Sequence, residues 1–514
     1  MSDFQQETSL SLTRRDLLKS TAGLAFAAAL SPGVATAASA DNTITDMGVI
    51  SLTRAIRKRD VSCREVMDAY LARIGEVNPT YNAIISQKDP EILLREADAA
   101  DKALASGAEV GLLHGVPQAP KDLAATKDIP TTQGSPIFKD YIPAQDAIVV
   151  ERARNAGAII IGKTNTPEYG LGSHTYNPLF GTTGNAWNPA WTAGGSSGGA
   201  AVALAHRMLP VADGSDMMGS LRNPAGWANV VGFRATAGRV PYGPTSEVFF
   251  QQLGFEGPMG RTVADTAYLL SVQAGYDART PLALDNDPAI FRQPLDRDFT
   301  GARIGWLGDF DGYLPMEDGV LRLCEQALGY FRDIGCTVEA ASPGYDMASL
   351  WQTWLVMRGF IIAGIAAPLY KNEKTRALMK PEAIWEVENG LALTGEQIYE
   401  ASMQRSAWYQ AMRTLFETYD YLVLPTAQVF PFDAKMDWPK EIAGRQMDTY
   451  HRWMEVVIPG TLAGIPSIGV PAGFTASGRP MGLQLMGPRL ADLSVLQIAH
   501  AYEMASGFSK LKPS

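Results

Sequence analysis

A short glycine- and serine-rich stretch, GGSSGG at residues 194–199, is the part of this 514-residue sequence best suited to chemistry. A serine hydroxyl becomes a nucleophile when a neighbouring group accepts its proton, and glycines let the backbone approach a ligand closely. The stretch continues directly into the helix-prone run AAVALAHRM, which argues against a flexible linker. It also lacks the Gly-Lys-Ser/Thr ending of a phosphate-binding loop. The pattern therefore favours a place where the backbone closely approaches another group.

The histidines supply no obvious base for such a serine. Acyl transfer to a serine needs a proton acceptor, donors for the developing oxyanion and a proton for the leaving group. The five histidines form no HExxH-like pair, and no motif places one of them for a Ser-His-Asp hydrolase: His114, His174, His206, His451 and His500. A zinc peptidase is therefore not indicated, and no metal site is predicted. A Ser-Lys arrangement fits the residues better.

Two further motifs flank the GGSSGG stretch. Ser220, in SDMMGSLR, follows Ser196 by 24 residues, and Lys121, in GVPQAPKDL, precedes Ser196 by 75 residues. Together these motifs resemble the amidase signature family, whose hallmark is GGSSGG, then D-x-G-G-S-x-R, with a lysine well upstream. Other stretches similar to the family occur in order and cover nearly the whole chain after residue 40: IIGKTNTPEYGLGS, FGTTGNAWNP, GPMGRTVADTA, YLVLPT, LAGIPSIGVPAGF and GLQLMGP.

The resemblance implies amide hydrolysis by a Ser-Ser-Lys triad, without a metal or organic cofactor. In that mechanism Ser220 is the nucleophile, Ser196 is a bridging serine preceded by a cis peptide bond, and Lys121 is the base that acts through Ser196. The lysine must be neutral to accept a proton. Burial lowers the pKa of an amine, so a buried Lys121 reaches that state near neutral pH.

The resemblance also assigns the groups that stabilise the oxyanion. These are the backbone N–H groups of the segment that ends at Ser220, namely Met217, Met218 and Gly219 together with Ser220 itself. Met218 stands where the family usually has glycine. Gly170 corresponds to a family position whose backbone faces the substrate amide, and a simple turn glycine is the alternative.

Other residues are expected to support the site. Asp216 and Arg222 bracket Ser220, and we expect an ion pair between them that braces the loop. The Lys-Asp pair of the family is kept as Lys121-Asp122. Two neighbours depart from the family pattern of an apolar residue before the pair and an asparagine after it: Pro120 and Leu123.

Capping signals predict the first helices after residue 40. Ser62 and Glu65 have capping-box spacing and begin an amphipathic helix that we expect to end at Pro79. Asp89-Pro90 begins a second helix, which ends before Gly107. These two helices form a short N-terminal extension to the rest of the domain.

The following pattern alternates between helices and strands. Residues 147–155 predict a helix, and the apolar run AIIIG after it predicts a strand buried on both faces. RIGWL, residues 320–334 and CTVEA then predict a strand, a helix and a strand. The alternation predicts an α/β fold in one large domain, residues 41–514, with a mixed, mostly parallel central sheet covered by helices.

The first forty residues predict an export signal. Arg14-Arg15 precedes an apolar run at residues 22–30 and small residues up to Ala40, in the order of a twin-arginine signal peptide. An ordinary secretory signal is the alternative. The run is shorter than the roughly 20 residues that cross a bilayer, and no later segment is expected to cross one. We therefore predict a soluble periplasmic protein without stable membrane association.

The composition excludes several classes of protein. With 46% hydrophobic and 19% charged residues, the chain is globular and neither disordered nor a coiled coil. The net charge of −10 gives no electrostatic footprint for nucleic acid, so no nucleic-acid partner is expected. Cys63, Cys324 and Cys336 are too few for a disulfide scaffold, and we expect buried free thiols, with a Cys324–Cys336 bridge as the alternative.

The sequence therefore predicts an exported amidase that converts a small-molecule carboxamide to a carboxylate plus ammonia or an amine. An amidotransferase-like subunit of the same family and a catalytically silent periplasmic binding protein are the alternatives. The oligomeric state is not predicted. The apolar, aromatic-rich run at residues 350–370 is expected to be a packed helix, with Trp351, Trp354 or Met357 on a pocket wall as the alternative. Because this run and the segment around Phe249 and Phe250 are rich in aromatic residues, an apolar or aryl substrate group is expected.

Overall fold

The computed structural model describes residues 44–513, so the predicted export signal at residues 1–40 lies outside the described part of the chain. The described residues form α-helices that pack against one large sheet. The helices are α1 Val49–Lys58, α2 Cys63–Tyr81, α3 Pro90–Ala105, α4 Ile148–Asn155, α5 Gly198–Ala205, α6 Arg222–Ala228, α7 Val263–Gln273, α8 Val320–Ala327, α9 Gly329–Asp333, α10 Met347–Lys371, α11 Glu373–Arg376, α12 Pro381–Leu391, α13 Gly395–Leu415, α14 Ile458–Ala463 and α15 Asp492–Ser506.

The large sheet joins strands from the middle and the end of the chain. Its strands are β1 Val211–Asp216, β2 Val231–Arg234, β3 Phe255–Gly260, β4 Arg303–Trp306, β5 Thr337–Ala340, β6 Tyr421–Pro425, β7 Ser467–Phe474 and β8 Pro480–Met486. Their spatial order is β5-β4-β6-β8-β7-β2-β3-β1. Short two-stranded pairs lie outside it, among them Pro117–Gln118 with Ile159–Ile160.

The α/β class and the mixed, helix-covered sheet are confirmed, but the expected excess of parallel pairing is wrong. β4 pairs in parallel with β5 and with β6. The remaining neighbours in the large sheet pair antiparallel. The reason is visible at β7 and β8, where a short turn at residues 475–479 replaces the crossover helix that parallel neighbours need.

The predicted N-terminal helices are present. Ser62 caps α2 with the complete capping box, in which its side chain accepts from the N–H of Glu65. The predicted end at Pro79 is wrong, because α2 continues through Pro79 to Tyr81 and ends at Asn82 in the left-handed conformation. Asp89 caps α3 as expected, with Pro90 at the first helical position.

The predicted strand-helix-strand unit is also present, with one interruption. β4 and β5 are parallel neighbours, as predicted for RIGWL and CTVEA. The helix between them is divided into α8 and α9 at Leu328. The buried run AIIIG does form a strand, Ile159–Ile160, but that strand pairs with Pro117–Gln118 and not with the large sheet.

The segment after GGSSGG is among the most deeply buried parts of the fold. All eight residues of α5 are buried, and they join a core cluster with α2 and α3. A helix that is apolar on all sides is stable only when other elements surround it. The start of α5 is therefore held in place by packing from every direction.

Among the described helices, α10 differs from the expectation that no segment after residue 40 is long and apolar enough to cross a membrane. Within the described residues, α10 alone is long and apolar enough to cross a membrane, by length and composition. It packs along α12 and α13, and its residues Trp351 and Trp354 are buried in the main core.

The three cysteines are buried and free, so the alternative Cys324–Cys336 bridge is not formed.

Candidate active site

Lys121 lies at the centre of the site, and its side chain is completely buried. Its backbone N–H donates to Asp213 Oδ2 at 3.1 Å. Its Nζ donates to three hydroxyl oxygens: Ser196 Oγ at 2.8 Å, Ser197 Oγ at 2.9 Å and Ser215 Oγ at 3.0 Å. A lysine ammonium has three N–H donors, so these serines satisfy the buried group.

The surroundings of Lys121 favour the loss of its proton. Burial lowers the pKa of Lys121 below its ordinary value, whereas nearby carboxyl groups raise it: Glu256, Asp216 and Asp213. Ser215 on β1 pairs directly with Glu256 on β3, so their side chains share one face of the sheet, and Asp213 lies two residues before Ser215 on the same face. Burial and the neighbouring Asp213 raise the pKa of Glu256.

Ser196 and Ser220 come from different elements and line one cavity of about 440 Å³. Ser196 precedes α5, and the peptide bond between Gly195 and Ser196 is cis, as the resemblance implied. Ser220 lies in the turn between β1 and α6. The N–H of Ser197 donates to the carbonyl oxygen of Ser220 at 3.3 Å and links the two segments.

The turn before Ser220 accommodates methionine at position 218. The residue in the left-handed region is Gly219, with φ of +77°, and a Cβ there would lie 2.9 Å from Val457 Cγ1. Met218 does not have a positive φ, and its side chain is buried in the main core. The position that requires glycine is therefore occupied by glycine, and Met218 leaves the turn intact.

The structure changes the predicted set of oxyanion donors at one residue. The N–H of Gly219 donates to Asp216 Oδ1 at 2.9 Å and is already occupied. Within residues 44–513, the N–H groups of Met217, Met218 and Ser220 have no hydrogen-bond acceptor. N–H groups held beside a reacting carbonyl can stabilise the oxyanion that forms there. The N–H groups of Met217, Met218 and Ser220 therefore stay the predicted oxyanion donors, and Gly219 is removed from the set.

Asp216 and Arg222 form the predicted ion pair, and both side chains are completely buried. Arg222 Nε and Nη2 each lie 3.0 Å from a carboxylate oxygen of Asp216. Burial alone would raise the pKa of Asp216, but Arg222 and Arg234 outweigh it and hold the pKa well below its usual range. The carboxylate also accepts from the N–H groups of Gly219 and Leu221, so the ion pair fixes the turn that contains Ser220.

We predict that Asp216→Asn lowers the free energy of unfolding by about 3–5 kcal/mol, because it leaves two buried guanidinium groups without their carboxylate. Urea denaturation followed by circular dichroism measures the change. Glu339→Gln is the control, because Glu339 forms an exposed ion pair with Arg303 and should change the value by less than about 1 kcal/mol. Equal losses in the two variants would contradict the bracing role.

Gly170 lies beside Ser196. It ends the 3-10 turn Glu168–Gly170 with φ of +71°. A Cβ at this position would lie 2.7 Å from Leu123 Cδ1 and 3.5 Å from Ser196 Oγ. Both Gly170 and Leu123 line the cavity, which favours the substrate-facing role of Gly170 over a simple turn.

The cavity wall agrees with the predicted segments more than with the predicted residues. α10 does line the cavity, but through Arg358, Ile362, Ile365, Ala366, Pro368 and Leu369. Trp351, Trp354 and Met357 are instead buried in the main core, which confirms the expected packed helix and not the alternative of a pocket wall. Phe249 and Phe250 are exposed and do not line the cavity, whereas Gln251 and Phe255, from the same region of the chain, do.

Sequence reasoning missed several residues of the site. Ser197 is part of GGSSGG, and Ser215 directly precedes Asp216, so both lie inside the motifs although their contacts with Lys121 were not foreseen. Arg358 and Tyr450 carried no motif signal. In the described part of the chain, no group of three or more His, Cys, Asp or Glu side chains is placed to hold a metal ion.

A family model supports the resemblance that the motifs suggested. The model described as Amidase matches residues 65–496, which is most of the chain. The chain belongs to the amidase signature family. The predicted enzyme class, a hydrolase that acts on amide C–N bonds, is confirmed with it.

Several relatives of this amidase align with it over nearly the full length of both chains. An acylamidase of Rhodococcus erythropolis is 33% identical over 473 residues, which are 91% of this chain and 97% of the relative. A glutamyl-tRNA(Gln) amidotransferase subunit of Thermosynechococcus vestitus is 34% identical over 493 residues, covering 91% of this chain and 100% of the relative. The crystal structure of a bacterial aryl acylamidase of the amidase signature family superposes with a TM-score of 0.85, at 28% identity over 91% of this chain and 98% of that one.

Proposed function

We propose that this amidase cleaves a small-molecule carboxamide through an acyl-enzyme on Ser220. The observation that carries the proposal is the contact of 2.8 Å between Lys121 Nζ and Ser196 Oγ in the cavity that also contains Ser220. A buried lysine next to a serine provides a base without histidine. The relatives named acylamidase and aryl acylamidase support hydrolysis of an amide as the overall reaction.

The reaction begins when neutral Lys121 accepts the proton of the Ser196 hydroxyl. Ser196 Oγ takes the proton of Ser220 as Ser220 Oγ attacks the carbonyl carbon. The carbonyl oxygen becomes an oxyanion, which the free N–H groups of Met217, Met218 and Ser220 stabilise. One such donor contributes about 3–4 kcal/mol to transition-state stabilisation.

Collapse of the tetrahedral intermediate breaks the C–N bond. Lys121 returns its proton through Ser196 to the leaving nitrogen, which departs as ammonia or an amine. Water then attacks the ester on Ser220 while Lys121 takes a proton of the water through Ser196. The proton returns to Ser220 Oγ as the ester bond breaks, and the carboxylic acid is released. Proton transfer in both directions needs a lysine pKa near the working pH, which burial of Lys121 favours.

A fluorophosphonate that reacts with activated serines tests the proposal directly. We expect one adduct by intact mass, located on Ser220 by peptide mapping, and hydrolysis of at least one member of a panel of aliphatic and aryl amides. A folded protein that gives neither result would contradict the proposal and favour the silent binding protein. Release of ammonia from glutamine, with no turnover of other amides, would favour the amidotransferase-like subunit.

We predict that kcat/KM rises with pH as Lys121 loses its proton, with a midpoint below the pKa of about 10.4 of an exposed lysine. Glu256→Gln should move that midpoint to lower pH, because an ionised Glu256 stabilises protonated Lys121. Steady-state kinetics across the pH range measures the shift. Glu339→Gln changes an exposed carboxylate and serves as the control. An unchanged midpoint in Glu256→Gln would contradict the assignment of Lys121.

We further propose that the enzyme is exported to the periplasm. The pattern that supports this is Arg14-Arg15 followed by the apolar run at residues 22–30 and small residues up to Ala40. Cell fractionation and the N-terminal mass of the purified protein test it, with Arg14→Lys combined with Arg15→Lys as the export-deficient variant. An uncleaved chain in the cytoplasm of cells with a functional twin-arginine pathway would contradict export.

A further inference from the structure

Arg358 brings a buried guanidinium to the cavity that contains Ser196 and Ser220. The residue is 4% exposed. Its Nε donates to Glu386 Oε1 at 2.6 Å, and its Nη2 donates to the hydroxyl of Tyr450 at 2.7 Å. The Tyr450 hydroxyl donates in turn to Glu386 Oε1 at 2.7 Å. This closed ring of hydrogen bonds holds the guanidinium in one orientation.

The third nitrogen of Arg358 has a much poorer partner. Nη1 contacts Met217 Sδ at 3.5 Å, and a thioether sulfur is a weak acceptor. A guanidinium has five N–H donors, and the described residues offer oxygen acceptors only to Nε and Nη2. A buried donor without a good acceptor is unfavourable, so Nη1 is suited to an acceptor from a ligand. It lies next to the loop that leads to Ser220.

The charges around Nη1 favour a neutral acceptor over an anion. Glu386 neutralises Arg358 within the ion pair, at 2.6 Å. His451 lines the same cavity, and burial, with Arg358 and Arg452 nearby, holds its pKa well below the usual value, so the imidazole is uncharged. A carboxylate at Nη1 would be close to Glu386, and the neighbouring cations Arg452 and Lys380 are already paired with carboxylates of their own.

An apolar stripe continues from Arg358 along α10. Ile362, Ala366 and Leu369 follow Arg358 at intervals of four, eight and eleven residues, which places them on one side of the helix. All three line the cavity. The wall of the cavity thus changes along α10 from a hydrogen-bond donor beside Met217 to an apolar surface.

We propose that Arg358 is a specificity-determining residue that selects amides carrying a neutral oxygen acceptor, such as an ether or carbonyl oxygen, with an apolar group for the stripe on α10. Nη1 donates to that oxygen, and Glu386 and Tyr450 position the guanidinium. This inference rests on the proposed amidase function and adds the substrate class to it. Arg358 binds the substrate and takes no part in breaking the amide bond.

Matched amide substrates test the role of Arg358. In one series an ether oxygen replaces each CH2 group in turn along the acyl chain of a hexanoyl amide, and in a second series along an N-hexyl chain, except for the CH2 groups bonded to the carbonyl carbon or to the nitrogen. We expect wild-type kcat/KM to be about tenfold or more higher for one oxygen position than for the hydrocarbon, as for a hydrogen bond to a charged donor. The variant Arg358→Met with Glu386→Gln removes the donor without leaving a buried charge unpaired.

In that double variant the ratio of kcat/KM between the preferred ether substrate and the hydrocarbon should fall to about one. Arg358→Lys keeps the positive charge but loses the planar set of guanidinium donors, and it should lose most of the preference for an ether oxygen. This variant provides a second test if the double variant unfolds. Tyr450→Phe keeps Nη1 but removes one of the two groups that position the guanidinium, so this variant should weaken the preference without abolishing it.

A merely structural role, in which Arg358 supports Met217, would lower kcat/KM equally for all substrates and would contradict the proposal. Hydrolysis by the wild type without preference for any oxygen position would also contradict it, and would leave the amidase function standing. No hydrolysis of any amide by folded wild-type protein would contradict the function itself.

Discussion

Ser220→Ala is expected to lower kcat/KM for any amide substrate by at least about 10⁴-fold, because the acyl-enzyme route loses its nucleophile and Ser196 is needed for proton transfer. The fold should be unaffected, since the turn is held by the backbone of Gly219 and the ion pair of Asp216 with Arg222. Initial-rate kinetics and labelling by fluorophosphonate measure the loss.

Ser477→Ala is the matched control for Ser220→Ala. Ser477 lies exposed in the turn between β7 and β8, far along the chain from the motifs, and among residues 44–513 its hydroxyl forms a hydrogen bond only with Thr475 Oγ1. We expect wild-type rates and one adduct in this variant. Substantial amide turnover by Ser220→Ala, or an adduct that persists in it, would show that another residue is the nucleophile.

Lys121→Met is expected to lower kcat/KM by about 100- to 10,000-fold, the usual contribution of a general base. Methionine fills a similar volume but can neither accept the proton of Ser196 nor return it to the leaving nitrogen. The pH dependence assigned to Lys121 should disappear with the residue. Kinetics across the pH range and the thermal midpoint of unfolding together separate chemistry from folding.

Lys163→Met provides an unusually close control for Lys121→Met. Lys163 is also completely buried, and burial likewise lowers the pKa of its amine, to about 8. Its Nζ donates to Ala124 O and Thr126 Oγ1, each at 2.6 Å, and to neither Ser196 nor Ser220. We expect Lys163→Met to lower the free energy of unfolding but to keep the pH dependence of kcat/KM that we assign to Lys121. Equal kinetic losses in both variants would make the role of Lys121 structural.

The local predictions succeeded where a few neighbouring residues decide the conformation. Ser62 and Glu65 form their capping box within one turn, and Asp89 caps α3 in the same way. Pro79 was a poorer guide, because the packing of α2 continues past it to Tyr81. Strand direction was predicted poorly, since hydrophobic runs such as those of β7 and β8 do not specify which neighbour they pair with.

By itself, the sequence determined the family and led to the proposed reacting groups, because Lys121, Ser196 and Ser220 lie in motifs whose residue types can be read directly. Only the tertiary structure decided which side chains hold Lys121, which N–H groups stay free before Ser220, and which side of α10 faces the cavity. α10 is apolar around most of its circumference, so its sequence does not distinguish the buried Trp354 from the cavity wall at Ile362. These choices depend on contacts between residues far apart in the chain, such as Arg358 with Tyr450, and such contacts exist only after packing has selected one arrangement.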